Sequence, residues 1–306
     1  MDPSSPFDLA DDSAYRAWRD RKLASAPTAA EQLLVEVADP GRLSRAERDA
    51  LAERCDRANM AVYAAPPRSD GASDVPRQIG AQLGLRTLDV NYLADDDGIT
   101  PLATTDTGPR SGYIPYTNRA IRWHTDGYYN PPGRRIRAMI LHCVQRAEQG
   151  GANRVFDHEL AYIALRDADP RYVAALMQDD AMTIPARSEE GEVARGDQSG
   201  PVFSVTADGR LHMRYTARTR SIVWKDDPLV HAATAALLQV LETDPHVLLL
   251  RLEPGMGIVC NNVLHDRSAF TDSATRRRLI LRGRFYEAVA AAAGATAAVR
   301  AADAPA

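Results

Sequence analysis

Arg122-Trp123-His124-Thr125-Asp126 and, far downstream, Val263-Leu264-His265 are the two stretches on which the fold turns. In an extended chain, residues two apart project to the same side, so His124 and Asp126 share a face and can reach one ion. With His265 they make a set of two imidazoles and one carboxylate. Such a set covers one face of a metal and leaves the other open to a co-substrate and O₂, which suits non-haem Fe(II). H-x-D alone is a frequent tripeptide, and an isolated match reads more simply as a histidine beside a surface aspartate. A shared ion also requires residues 124 and 265 to meet. A jelly roll brings its first and last core strands together and would do this.

The downstream half has its own pattern. Gly257-Ile258-Val259-Cys260 is an apolar strand that runs into Asn261-Asn262 and then His265. Arg276 to Tyr286 alternates basic and apolar residues, as a strand with one buried face does. Arg278, Arg282 and Arg284 share parity. Either they face solvent while Leu279, Leu281 and Phe285 face the core, or they face inward and meet anions, because unpaired buried cations are costly. The alternation leaves both open.

Working outward, Ser13 to Leu23 reads as a helix in an N-terminal arm (1–30). Leu43 to Asn59 reads as a helix opened by a Ser44/Glu47 capping box, and Val75 to Leu83 as a helix stopped by Gly84. Arg86 to Tyr92 is expected to be a strand, Ala94 to Gly98 an acidic turn without EF-hand spacing, and Thr104 to Tyr113 a loop over the site. Arg137 to Val144 and Arg154 to Phe156 read as strands, and Glu159 to Arg166 and Pro170 to Gln178 as helices. Ser188 to Gly200 is expected to be a long loop of the kind that forms lids. Val202 to Tyr215 reads as a hairpin turning at Asp208-Gly209. Pro228 to Glu242 reads as a helix and His246 to Leu252 as a strand. The fold expected is α+β: a double-stranded β-helix (jelly roll) of about eight strands, with N-terminal helices and a helical insertion. It occupies 31–287 and precedes an Ala-rich tail, 288–306.

Composition restricts the function. The chain has 306 residues, 45% of them hydrophobic, and a net charge of -4. That is enough apolar material for one large domain, with no basic excess for nucleic acid. No apolar run reaches the ~18 residues of a membrane span, and the acidic N-terminus is no secretory signal. Three cysteines without a C-x-x-C pair read as reduced thiols in a cytoplasmic protein. Cys260 is a weaker metal ligand candidate than His265. His142, His158, His212, His231 and His246 lack partner patterns and read as structural or exposed. A small molecule is the expected partner, and a homo-oligomer is left open.

Ile114-Pro115-Tyr116-Thr117, Trp123-His124-Thr125-Asp126-Gly127-Tyr128-Tyr129-Asn130-Pro131-Pro132, Leu141-His142-Cys143, Gly150-Gly151-Ala152-Asn153, Phe156-Asp157 and Leu264-His265-Asp266-Arg267-Ser268-Ala269-Phe270 come in a telling order. Over roughly residues 85 to 287 the chain resembles the taurine dioxygenase/TfdA superfamily of Fe(II)/2-oxoglutarate oxygenases, with motifs similar to its γ-butyrobetaine hydroxylase branch. The resemblance implies Fe(II) on His124, Asp126 and His265, with 2-oxoglutarate and O₂ as co-substrates. It implies Arg278 on the distal carboxylate of 2-oxoglutarate, where a guanidinium fork fits a carboxylate, and Asn153 helping to hold that molecule. Tyr116 matches an aromatic of the betaine cage, and Tyr128 and Trp224 match pocket borders. Arg284 stands where the betaine enzymes carry a cage tyrosine. Arg282 lies four residues beyond Arg278, where taurine dioxygenase-like enzymes hold the substrate anion. Both arginines favour a small anionic or amino-acid-like substrate over a quaternary ammonium. The implied reaction is hydroxylation of an unactivated C–H bond with release of succinate and CO₂. Desaturation or ring closure shares its start, whereas Asp126 argues against halogenation. A protein side-chain hydroxylase and a non-catalytic jelly-roll sensor are the alternatives.

Overall fold

The structure is a computed structural model that describes residues 5–68, 72–90, 98–108, 110–111, 113–189, 192–220 and 222–289. Two sheets carry the site. The larger has six strands in the order Leu34–Glu36, Met60–Ala64, Met256–Cys260, Ala138–Gln145, Leu279–Phe285, Ile99–Leu102. The smaller runs Leu248–Leu250, Asn153–Phe156, Leu264–Arg267, Ile121–His124. All pairings are antiparallel except that of the two first strands of the larger sheet. Val62, Leu141, Ile258 and Ile280 of one sheet meet Val155, Leu248 and Leu250 of the other in a single apolar cluster. This is the mixed helix-and-sheet double-stranded β-helix expected.

The helices cover the sheets. Ser44 caps Arg45–Ala58: its hydroxyl accepts from Glu47 N–H at 3.2 Å, and the Glu47 carboxylate accepts from Ser44 N–H at 2.5 Å. Val75–Gln82 lies over the back of the larger sheet, where Phe285 fills the space beside Gly80. The insertion between the Asn153 and Leu248 strands supplies His158–Ala168, Pro170–Leu176 and Pro228–Thr243, with the Phe203–Val205/Leu211–Met213 hairpin between them. The N-terminal helix, Asp12–Ser25, packs on this insertion. Lys22 reaches the buried carboxylates of Asp157, at 2.7 Å, and Glu159.

Two expectations change, and a third falls largely outside the described residues. Arg86 to Tyr92 is not a strand in its described part. Only Leu88 bridges to Phe285, and Asp89 instead turns its carboxylate inward to Arg284. Residues 91–97, and with them most of the acidic turn, lie outside the described residues. The expected 188–200 loop contains the strands Arg187–Glu189, Glu192–Arg195 and Gln198–Gly200. Its last strand pairs with Met182–Ile184, and extended pairing absorbs the polar residues that mimic a loop in composition.

Candidate metal centre and co-substrate pocket

The smaller sheet builds the centre directly. His265 sits opposite His124 in an antiparallel pair, and the ladder is irregular on the way to Arg267 and Ile121. The two imidazole centroids are 4.2 Å apart. One ligand atom from each of His124, Asp126 and His265 lies within 4.8 Å of the others. His124 donates its Nδ1–H to Arg122 O at 2.9 Å, and His265 donates its Nδ1–H to Val263 O at 3.0 Å. Each bond fixes the tautomer and leaves a lone pair on Nε2, the form that binds metals. Burial and the neighbouring His265 push His124 down to about 3. It is therefore neutral at any physiological pH.

Asp126 lies two residues past its strand, in a turn that the sequence dictates. Gly127 has φ +66°, and a Cβ there would stand 2.4 Å from Ile136 Cγ1, so only glycine fits. Thr125 is anchored on Tyr215 through N–H···O at 3.0 Å and through its hydroxyl, which accepts from Tyr215 N–H at 3.1 Å. Burial raises the Asp126 carboxyl, but Arg282 and Arg284 outweigh it and hold the pKa at about 2. Arg282 Nη1 donates to Asp126 Oδ1 at 3.1 Å, while Oδ2 is buried with no partner. A buried carboxylate oxygen without a hydrogen bond is costly. This oxygen, beside two imidazoles with free Nε2 atoms, fits the donor set of an Fe(II) ion.

The arginine strand is buried on both faces, which resolves the alternation. Phe285 packs against the Val75–Gln82 helix, while Arg278 and Arg284 are 4% and 2% exposed. Arg278 lies over the Phe270 ring, with Gly151 (φ +74°) against its stem. Burial pushes its guanidinium down to about 10, still charged at neutral pH, and its Nη1 has no hydrogen-bond partner. A buried cation with no ion pair among the described residues, Asp272 meeting its backbone N–H, fits an anionic ligand such as the distal carboxylate of 2-oxoglutarate.

The remaining named residues divide. Tyr116 is fully buried, close enough to Arg282, Arg284 and Tyr129 to feel their charge. Arg284 is committed to protein groups: Asp89 at 2.6 Å and the Tyr129 hydroxyl at 2.8 Å. Asn153 donates its amide to Asp266 O at 2.6 Å, tying its strand to the one that carries His265. The Tyr128 hydroxyl accepts from Arg218 at 3.1 Å. Trp224 packs against Tyr215, the residue that holds Thr125. No contact of Trp224 with the triad is found among the described residues.

Two positioning residues escaped the sequence reading. Asn262, at φ +53°, accepts from Asp126 N–H at 2.7 Å and donates to the carbonyls of Asp126 and Ile136 at 3.0 and 2.8 Å. Its signal was the Asn pair between an apolar strand and His265, since asparagine tolerates the left-handed region better than other side-chain-bearing residues. Arg267 holds the carbonyls of Pro115, Thr117 and Arg119, and so the turn that carries Tyr116. Nothing local in the sequence signals that link.

The model of the family "Taurine catabolism dioxygenase TauD, TfdA family" matches residues 20–283. A uridine-5'-phosphate dioxygenase from an Amycolatopsis species is 32% identical over 176 residues, 54% of this chain and 61% of that relative. Thus the match spans less than two thirds of its length. Solved structures of the non-heme iron oxygenase OrfP share the fold. One with Fe, succinate and (3S)-hydroxy-L-Arg has a TM-score of 0.57 at 16% identity, covering 80% of this chain and 82% of OrfP. Another, with Fe and alpha-ketoglutaric acid, has a TM-score of 0.57 at 14% identity, covering 80% and 81%. None of these matches singles out the γ-butyrobetaine hydroxylase branch. The family match and the His-Asp-His geometry agree: this chain belongs to the TauD/TfdA family of Fe(II)- and 2-oxoglutarate-dependent dioxygenases.

Proposed function

We propose that the chain hydroxylates an unactivated C–H bond of a small anionic molecule, with 2-oxoglutarate converted to succinate and CO₂. The observation that carries this reading is the combination of a neutral two-histidine face with an unpartnered Asp126 oxygen. In this reading His124, Asp126 and His265 hold Fe(II), and Arg278 binds the 5-carboxylate of 2-oxoglutarate. The bound metal, with 2-oxoglutarate and O₂, supplies the oxidising power, which no side chain here has. The protein's share is position and exclusion of water. The Nδ1–H bonds of both histidines to their own strands hold the rings in place. Asn262 fixes the Asp126 peptide, and Asn153 ties its strand to that of His265. Tyr116, Tyr128 and Trp224 would line the substrate's approach.

Arg282 supports the anionic class. One of its nitrogens meets Asp126 Oδ1, while its Nε is buried without a partner. A guanidinium with a donor to spare can bind a second anion. Arg284, balanced by Asp89, would act by holding Tyr129. The Amycolatopsis relative is named for a phosphate-bearing substrate, which agrees with an anion. Three buried free cysteines suit a reducing, cytoplasmic setting, and no helix among the described residues is long and apolar enough to cross a membrane. The test is a screen for substrate-stimulated succinate formation across amino acids, sulfonates, betaines, aryloxy acids and phosphate esters. A hit confined to betaines would overturn the anionic class.

A further inference from the structure

A second group of basic side chains stands beside Asp126 with no ion pair among the described residues. The pocket lined by residues 125–128 is also lined by Arg135, His212, Arg214, Ser199 and Ser204. Arg135 follows the turn after Asp126, and His212 lies on the Leu211–Met213 strand of the insertion. Arg135 is half-buried and makes no hydrogen bond or ion pair among the described residues. Arg214 spends its Nη atoms on the carbonyls of Met182 and Gln198, and its Nε is buried without a partner. No carboxylate contacts either guanidinium among the described residues. The one acid in the pocket wall, Asp126, belongs to Arg282 and the metal centre.

Such an array is unfavourable as it stands. Burial, with Arg135 and Arg195 nearby, pushes Arg214 down to about 10. Burial and the surrounding cations hold His212 neutral, at about 3, so it can donate one ring N–H without adding charge. Like charges held close in a partly enclosed pocket are retained at a cost in stability, and a bound anion recovers it.

We propose that Arg135, Arg214 and His212 form a subsite for the phosphate group of a phosphomonoester substrate, whose carbon skeleton extends toward the metal beside Asp126. This deepens the proposed dioxygenase function and rests on it, naming the substrate class of the same centre. Three features select phosphate over carboxylate. Two guanidiniums match a dianion better than a single charge. The two arginines, His212 and two serine hydroxyls offer more donors than two carboxylate oxygens can accept. The cavity is about 30 Å³, room for a small polar group and not for a whole substrate. The rest of such a molecule must therefore lie outside it, and residues 125–128 are the wall it shares with Asp126. In this arrangement Arg282 is free to keep Asp126 in place or to meet a second acidic group.

The test is calorimetric titration of the full chain, loaded with Fe(II) and 2-oxoglutarate under nitrogen and repeated without metal. The probes are uridine 5′-phosphate, uridine and inorganic phosphate. Wild type should bind uridine 5′-phosphate at least ~tenfold more tightly than uridine, with inorganic phosphate competing, since a charge-assisted contact to a desolvated anion contributes at least this much. Arg135→Gln should abolish that preference without lowering the melting temperature, because Arg135 has no hydrogen bond or ion pair to lose among the described residues, and Arg135→Lys should restore part of it. Equal affinity of wild type for the phosphate and the nucleoside, or an unchanged preference in Arg135→Gln, would overturn the subsite. Fe(II) binding and 2-oxoglutarate decarboxylation are measured on wild type separately. Their loss would sink the dioxygenase reading, while the metal-free titration still decides the subsite.

Discussion

Asn262 closes a ring on the backbone of Asp126: one side-chain amide accepts from its N–H and donates to its carbonyl. A candidate metal ligand in the turn after a strand is thereby fixed by a residue three positions before a second candidate, His265. Removing the amide in Asn262→Ala leaves buried backbone groups unpaired, at a cost of ~1–3 kcal/mol each. The Asp126 carboxylate then loses its register with the imidazoles. Residues that support a ligand in this way change metal affinity by ~10–100-fold. Competition titration with a chelator should show a loss of that size in Asn262→Ala, and Asn262→Asp should fail to restore it, since a carboxylate cannot donate to the two carbonyls. Wild-type affinity in Asn262→Ala would remove Asn262 from the centre.

Arg278 is the second point of test. It is buried, charged and short of a partner. Arg278→Ala should raise the KM for 2-oxoglutarate by several tens-fold or more, corresponding to ~2–5 kcal/mol for a desolvated charge pair. Arg278→Lys should recover only part, because an ammonium cannot reproduce the two parallel bonds of the fork. Steady-state kinetics at varied 2-oxoglutarate reads this out, and an unchanged KM would move the co-substrate to another cation.

Arg282 meets Asp126 at one nitrogen and has another free. If it also holds the substrate anion, Arg282→Ala should weaken use of an acid substrate more than use of its neutral ester. A parallel drop on both would assign Arg282 to holding Asp126 alone.

The buried Lys22–Asp157–Glu159 group gives a pH-dependent prediction for stability. Burial alone would lower Lys22, but the two carboxylates raise it above the usual lysine range. Burial would raise Glu159, but Lys22 lowers it below the usual glutamate range. The Glu159 contribution is therefore complete above the unfolded value of ~4.3 and lost as pH falls through the folded value. The Lys22 contribution is complete below the unfolded value of ~10.4 and lost as pH rises through the folded one. Lys22→Met leaves two buried carboxylates uncompensated and should cost ~3–5 kcal/mol at neutral pH. The deficit should shrink as pH falls below ~4.3, where the carboxyls take up protons. Denaturant unfolding of both proteins at pH 7 and pH 4 checks the sign, and a deficit that grows in acid would contradict it.

What the sequence made legible was local or paired in a short span. The Ser44/Glu47 capping box is a four-residue signal, and it forms as read. The H-x-D pair is read from the period of a strand, although the strand ends at His124 and Asp126 stands in the turn after it; His265 joins the pair because the antiparallel ladder puts it opposite His124. The arginine strand was ambiguous for a physical reason. Alternation separates a wet face from a dry one, but Leu279–Phe285 is covered by a helix on one side and lies over the site on the other. Asp89 illustrates the limit. Its partner Arg284 comes from the far end of the chain, and a strand-like pattern around it hid the inward turn of a single carboxylate. The polar 188–200 stretch failed in the opposite direction, since composition cannot distinguish a polar hairpin from a loop.

The central claim is that His124, Asp126 and His265 bind one Fe(II), and anaerobic titration of the purified chain with Fe(II) tests it most directly. Wild type should bind one equivalent and, with 2-oxoglutarate added, develop a visible charge-transfer band. His265→Ala and Asp126→Ala should lose both while keeping the circular dichroism of the folded protein, because the apolar cluster between the sheets contains neither residue. No saturable Fe(II) binding by wild type, or undiminished binding by Asp126→Ala, would contradict the account.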